Sequence, residues 1–119
     1  SVALINARFC KPMDREMIEK YGHIAKVICT IEDHVLMGGF GSAVLETLED
    51  LHLKPPVVRV GWPDKFIEHA TTNKDLQDKY GMNSATAVAK VREALARVAQ
   101  DAGQPQKFRV LGAADARTA

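Results

Sequence analysis

The stretch Ile31–Leu51, IEDHVLMGGFGSAVLETLEDL, decides the fold. It begins as the end of an apolar strand, passes through the glycine-rich turn Gly38–Ser42, and continues with apolar residues spaced as on one face of a helix. A strand, a tight turn and a helix in this order open a βαβ unit, whose next strand runs parallel to the first. Glycine-rich turns before a helix often bind phosphate groups. This turn therefore either binds a ligand or has glycines that serve only the backbone and a protein neighbour.

Strand and helix patterns alternate along the rest of the chain. Short apolar runs bounded by glycine, proline or polar residues predict strands, and one-sided apolar spacing after a good N-cap predicts helices. Gly22 is the expected stop of the first helix. The predicted strands are 2–5, 24–31, 57–60 and 107–111, and the predicted helices are 14–21, 41–51, 73–80 and one from Asn83 or Ser84 to Ala102. This alternation predicts an α/β fold, a three-layer sandwich with a mostly parallel sheet.

Length and composition indicate one domain that carries its own core. The chain has 119 residues, with 16 Lys and Arg against 15 Asp and Glu, and a net charge of +1. These charges are interspersed, so a nucleic-acid partner is not indicated. No apolar run reaches membrane-spanning length and nothing resembles a signal peptide, so we expect a cytoplasmic setting and no membrane partner. We place the domain at residues 1–103 and expect residues 104–119 to be a partly disordered extension.

The two cysteines, Cys10 and Cys29, do not have metal-ligand spacing. Cys29 lies in an apolar strand-like run, where a free thiol behaves as a small hydrophobe. We therefore predict that Cys29 is buried and structural.

The turn Gly38–Ser42 is the first candidate site. In α/β domains, ligands favour the carboxyl ends of parallel strands, where a helix N-terminus can receive an anion. Gly39 and Gly41 match the first half of the dinucleotide-binding pattern, but Val44 replaces its third glycine, and no Gly-Lys-Ser/Thr follows. We expect the glycines to allow a tight reversal and a close approach of helix and sheet, with a nucleotide site as the alternative.

The cluster Glu32, Asp33 and His34 is the second candidate. Carboxylates beside an imidazole can form an acid–base pair or a metal site. Neighbouring residues on a strand point in opposite directions, however, so we expect solvated or interface side chains here. A Ser–His–Asp arrangement using Ser42 and His34 has no supporting G-x-S-x-G motif. The remaining histidines also lack a partner at metal-ligand spacing: His23, His52 and His69.

Two further residues have structural and functional alternatives. Arg8 follows the first apolar run, and we expect its guanidinium to pair with Asp14 or Glu32 and brace the loop. Trp62 either marks a partner surface, because tryptophan is enriched at interface hot spots, or covers the core. Both alternatives for Trp62 stay open at this point.

Three segments resemble those of one family in their residues, their order and their spacing. They are NARFCKPMD at 6–14, TIEDH at 30–34 continued by GGFGSAVLE at 38–46, and GWPDKFIEH at 61–69. Together they resemble the C-terminal, third domain of 1-deoxy-D-xylulose-5-phosphate synthases, within the transketolase superfamily. The resemblance covers about residues 1–95. Ala70 stands where that family commonly has glycine, and Trp62 where a smaller aliphatic residue is usual.

The resemblance implies one domain of a longer, homodimeric transferase, in keeping with a chain that enters an apolar run at Val2 without an initiator Met. Such an enzyme uses thiamine diphosphate and magnesium to join pyruvate to glyceraldehyde 3-phosphate, in an isoprenoid-precursor pathway of the cytoplasm or, in plants, the plastid. Its cofactor motif, G-D-G…N, belongs to the upstream domains, and this chain contains no G-D-G. We therefore expect no catalytic, cofactor or metal residues here, and an inactive isolated chain.

The expected role is packing against the upstream domains and assembly of the dimer. Glu32, Arg8 and the glycine turn are predicted to form one polar surface against the missing neighbour. The alternatives are the same domain from a transketolase or a 2-oxo-acid dehydrogenase β-subunit, or a stand-alone anion-binding or nucleotide-binding module that uses the turn. The interface or structural candidates are Arg8, Glu32, Gly38, Gly39, Gly41, Ser42, Trp62 and His69.

Overall fold

The computed structural model describes residues 1–69 and 71–102. In these residues the elements follow the order α1, β1, α2, β2, α3, α4. The strands are β1, Ile28–Val35, and β2, Val57–Trp62. The helices are α1, Arg15–Ile24, α2, Phe40–Asp50, α3, Asn73–Lys79, and α4, Ser84–Asp101. No described helix is long and apolar enough to cross a membrane.

The sheet and its helices form the predicted α/β arrangement. β1 and β2 pair in parallel, from Ile28 opposite Val57 to Val35 opposite Trp62, with an irregularity near the carboxyl end. α2 packs on β1 and α4 mainly on β2. Thr30 lies beneath α2, whereas its neighbour Cys29 is on the side of α4, where burial raises the pKa of the Cys29 thiol and the charge of Lys90 partly opposes this rise. Since neighbouring strand residues point to opposite faces, α2 and α4 cover opposite faces of the sheet.

The apolar core lies between α1, α2 and the sheet. Ile18, Val44 and Leu48 are buried together, with Ile28 and Leu53 packed against them. Val60 is buried separately from this cluster. The described residues therefore contain a small core, which leaves several large apolar side chains at the surface.

Gly22 has a different role from the predicted one. α1 continues through it to Ile24, and the Ala25 N–H still donates to the Tyr21 carbonyl at 2.9 Å. A Cβ added to Gly22 would lie 2.7 Å from Leu53 Cδ1. The glycine thus allows the region after α2 to pack closely on α1, and the prediction of a helix stop here is wrong.

Two strand predictions also need correction. Residues 2–5 have no strand pairing and are exposed, because an apolar run becomes a strand only where a neighbouring backbone completes its hydrogen bonds. The strand predicted at 24–31 is observed at Ile28–Val35. Helix α1 includes its first residue, Ile24, and the strand extends beyond Ile31 through polar residues to Val35, which pairs with Trp62 of β2. The predicted strand 107–111 and the extension 104–119 lie outside the described residues.

Candidate functional site

The glycine turn encloses a carboxylate from the chain itself. Glu32 is only 8% exposed and projects from β1 beneath the first turn of α2. Its Oε1 accepts the Gly41 N–H at 3.0 Å. The N-cap position of α2 is Gly39, which has no side chain to accept such a bond. Glu32 therefore supplies the acceptor and the negative charge that a helix N-terminus favours.

The closeness of this carboxylate explains two of the glycines. A Cβ on Gly39 would overlap Glu32 Oε2 and lie 2.5 Å from the Val35 carbonyl oxygen. A Cβ on Gly41 would lie 2.6 Å from Thr30 Oγ1. Both contacts are shorter than packed atoms tolerate, so only glycine lets the turn close over Glu32. The glycines thus serve close backbone approach.

Ser42 ties the turn to both strands. Its Oγ donates to the Leu36 carbonyl oxygen at 3.0 Å, just after β1. The same oxygen accepts the Gly38 N–H at 3.1 Å and Arg59 Nη2 at 3.0 Å. Because all three bonds stay within the fold, the hydroxyl is a structural crosslink between the turn, β1 and β2.

Three buried polar atoms beneath the turn have no hydrogen-bond partner. They are Thr30 Oγ1, Glu32 Oε2 and Arg59 Nε. In the described part of the chain, Glu32 and Arg59 do not form an ion pair. Such orphaned groups each cost about 1–3 kcal/mol unless side-chain rotation or a buried water satisfies them. Arg59 is a charged residue inside the apolar run 57–60, and this position could have marked it as a candidate from the sequence alone.

The three side chains weighed as an acid–base or metal cluster separate, as expected from strand alternation. Glu32 points into the fold, Asp33 accepts a hydrogen bond from Trp62 Nε1 at 2.6 Å, and His34 Nδ1 lies 3.1 Å from the Val35 carbonyl oxygen. Across residues 1–69 and 71–102, no group of three or more His, Cys, Asp or Glu side chains could hold a metal ion. Glu32, Asp33 and His34 therefore do not converge on one point.

The other candidates lie outside the turn. Arg8 is exposed, with φ of 56°, and its N–H donates to Asn6 Oδ1 at 3.1 Å. The expected pairing with Asp14 or Glu32 is not formed, because Asp14 caps α1 by accepting the Met17 N–H and Glu32 faces Gly41. His69 is exposed in the segment that follows β2.

Cys29 is half-buried, less than the sequence predicted. Burial raises the pKa of its thiol, and the nearby charge of Lys90 opposes this shift only in part. Cys10 is exposed. Cys29 therefore stays a protonated thiol near neutral pH, as expected for a structural residue.

Trp62 belongs to a second set of contacts, which we call the Tyr80 brace. Its members are Asp33, Trp62, Lys65, Glu68 and Tyr80. The rings of Trp62 and Tyr80 meet edge-on with centroids 5.9 Å apart. Tyr80 Oη donates to Glu68 Oε2 at 2.5 Å, and Lys65 Nζ lies 4.5 Å from the Tyr80 ring centroid. Sequence reasoning missed Glu68 and Tyr80, because only the path through α3 brings them together.

Near the turn, the end of the sheet carries a shallow depression of about 340 Å³. We call this end the carboxyl edge: the ends of β1 and β2 with the following segments 36–39 and 63–69. Apolar and polar side chains both line the depression. They are Leu36, Met37, Ser42, Arg59, Pro63 and Asp64. The carboxyl edge is therefore the part of the described surface where a partner could seat next to the turn.

Comparison with known proteins identifies the family. The family described as "Transketolase, C-terminal domain" matches residues 1–86. The chain belongs to this family. A solved structure, "Split gene transketolase, inactive beta4 tetramer", superposes on this transketolase C-terminal domain with a TM-score of 0.65 and 40% identity. That match covers 72% of this chain and 27% of the other.

The curated relatives of this transketolase C-terminal domain point to one enzyme. The 1-deoxy-D-xylulose-5-phosphate synthase of Acidobacterium capsulatum is 48% identical over 97 residues, or 82% of this chain and 15% of the relative. That of Methylacidiphilum infernorum is 52% identical over 88 residues, or 74% of this chain and 14% of the relative. The chain thus spans about one seventh of these relatives and resembles a single domain of each.

Proposed function

We propose that this chain is the C-terminal assembly domain of a 1-deoxy-D-xylulose-5-phosphate synthase-type transferase. It packs against the upstream domains of the same polypeptide and helps to form a homodimer. The complete enzyme would join pyruvate to glyceraldehyde 3-phosphate with loss of carbon dioxide, in an isoprenoid-precursor pathway. The shared name and 41–53% identity of the curated relatives support this choice.

The observation that carries the proposal is the Glu32 carboxylate at the N-terminus of α2. A diphosphate bound at this turn would meet a buried carboxylate instead of free N–H groups. The residues of the turn therefore do not fit the diphosphate of thiamine diphosphate. In the proposed enzyme, thiamine diphosphate and magnesium would be bound by the upstream domains, and the isolated chain would be inactive.

The exposed apolar side chains support an assembly role. The described residues bury few hydrophobic side chains completely, while Val2 and Leu4 are exposed in the N-terminal stretch and Met37 and Phe66 at the carboxyl edge. Exposed apolar patches are typical of surfaces that another protein body covers. Upstream domains that packed here would remove this surface from water.

A second candidate is the same domain in a transketolase, favoured by the solved split-gene transketolase at 40% identity. A third is a stand-alone anion-binding module, which the internal carboxylate disfavours. Titrating the chain with inorganic phosphate and ATP by calorimetry separates the module from an assembly domain of either enzyme. The assembly proposal expects no saturable binding, whereas a saturable site lost on Ser42→Ala would favour the module.

The direct experiment uses the complete polypeptide and a version lacking residues 1–103 of this chain. We expect the deletion to abolish the dimer in light scattering and the formation of 1-deoxy-D-xylulose 5-phosphate. A version lacking only residues 104–119, outside the family match, is the control and should keep both. A dimeric, active enzyme after the larger deletion would refute the assembly role.

A further inference from the structure

Phe66 is a fully exposed aromatic side chain at the carboxyl edge. Its ring makes none of the aromatic contacts found among the described residues. A phenylalanine side chain presents roughly 150–250 Å² that can be buried, which makes it one of the largest apolar contributors to a contact. Its exposure at this edge therefore calls for a specific reason.

Side chains on both sides of Phe66 contact Tyr80. On one side, Lys65 Nζ lies 4.5 Å from the Tyr80 ring centroid. On the other, Glu68 accepts hydrogen bonds from Tyr80 Oη at 2.5 Å and from Lys79 Nζ at 2.9 Å. These charged neighbours already have partners within the chain. The fully exposed apolar side chain between them is Phe66.

Tyr80 is itself fixed to the sheet. Its ring packs edge-on against Trp62, and Trp62 Nε1 donates to Asp33 Oδ1 at 2.6 Å. The Tyr80 brace thus connects the end of β1 to the segment that carries Phe66. Holding the segment in place before contact reduces the entropy that its backbone loses on binding.

We propose that Phe66 is the anchor by which the carboxyl edge docks into an apolar cavity on the upstream part of the same polypeptide. This inference rests on the proposed function and adds the residue and the chemistry of the partner. The relatives indicate what this edge would contact, since the matched region covers only 15% of the synthase from Acidobacterium capsulatum, and the rest of such a polypeptide could supply the cavity. At the same carboxyl edge, exposed Met37 and half-buried Pro63 line the depression of about 340 Å³, and we extend the proposed contact over this depression.

The Tyr80 brace makes Tyr80 a positioning residue. Tyr80→Phe keeps the ring against Trp62 and beneath Lys65 but removes the hydrogen bond to Glu68. We expect it to weaken docking less than Phe66→Ala does. Phe66→Leu, which keeps an apolar side chain of similar reach, should rescue most of the docking that Phe66→Ala removes.

The experiment measures amide hydrogen exchange in the complete polypeptide, at segments 36–38 and 62–69. In wild type these amides should be protected by the docked upstream part. Phe66→Ala should raise their exchange at least roughly tenfold, as expected for loss of a hot-spot aromatic. Ile24→Ala is the matched control, because Ile24 is 68% exposed but lies before the amino end of β1. It should leave exchange unchanged.

The outcomes separate the anchor from the proposed function. If deleting residues 1–103 disrupts the dimer while Phe66→Ala exchanges like Ile24→Ala, the anchor is refuted and the assembly role stands. If the deletion has no effect, the proposed function fails first. Wild-type protection that disappears when the dimer is diluted into monomers would place the cavity on a second copy of the polypeptide, and would overturn the partner proposed here.

Discussion

Replacing Gly39 with alanine should destabilise the fold by about 1.5 kcal/mol. The new Cβ would overlap Glu32 Oε2 and lie 2.5 Å from the Val35 carbonyl oxygen, which is a backbone atom and cannot swing away. Either the clash remains, at about 1–3 kcal/mol, or Glu32 leaves and its charged hydrogen bond to Gly41 is lost, at about 1.5–3 kcal/mol. The lower entropy of the unfolded alanine chain offsets about 0.4–1 kcal/mol.

Urea unfolding of wild type, Gly39→Ala and a double variant with Glu32→Ala would measure this effect. Gly39 has φ of −84°, which alanine adopts freely, so the cost comes from the contact and not from the backbone. In the Glu32→Ala background the overlap with Glu32 is absent and only the contact with the Val35 carbonyl oxygen remains, so the same substitution should cost at least about 1 kcal/mol less. Gly38→Ala is the control for a cost that comes from the backbone alone, because Gly38 has φ of +69° and open space around it; its destabilisation should not change when Glu32 is replaced. A Gly39→Ala loss below about 0.5 kcal/mol, or no coupling to Glu32, would refute the reasoning.

Three further predictions concern charge and reactivity. Hydrogen bonds from Tyr80 and Lys79 lower the pKa of Glu68 from 4.5 to about 2, so its stabilising contribution is present above pH 4.5 and lost as pH falls through about 2. Carboxyl NMR should show this titration and an upward shift in Tyr80→Phe; an ordinary pKa in wild type would contradict it. Cys10 should react with a thiol reagent at least roughly tenfold faster than Cys29 at pH 8, because burial raises the pKa of Cys29, and equal rates by mass spectrometry would oppose this. Glu32→Ala should leave the N-terminus of α2 without its carboxylate, so added formate should raise the melting temperature of this variant but not that of wild type. The same response to formate in both proteins would argue against the internal carboxylate.

The sequence predicted the elements whose patterns are local. Apolar spacing defined α2, Asp14 was correctly expected to cap α1, and alternation along β1 separated Glu32, Asp33 and His34. The α/β arrangement followed from strands alternating with helices. These features depend on neighbours within a few residues, so the sequence carries them directly.

The rest depended on contacts between distant residues. Glu32 was expected at a surface, but the N-terminus of α2 draws its carboxylate inward, nine residues from the Gly41 N–H. Gly22 was interpreted as a helix stop, because the close approach of Leu53 is visible only after packing. The Tyr80 brace likewise needs α3 to bring Tyr80 back to Trp62.

The glycine turn therefore shows how a motif that resembles a phosphate-binding turn can instead stabilise the fold. Its helix N-terminus has an anion, but the anion is the Glu32 side chain. Ser42 closes the turn onto Arg59 and the end of β1. The exposed chemistry at this end of the sheet is the apolar surface around Met37 and Phe66, which suits a protein neighbour better than a phosphate.

Sequencing the coding DNA upstream of Ser1 tests the proposed origin of the chain most directly. If the chain is the assembly domain of a synthase-type transferase, the reading frame should continue upstream through two further domains that contain a G-D-G…N motif. A start codon immediately before Ser1 would contradict that origin.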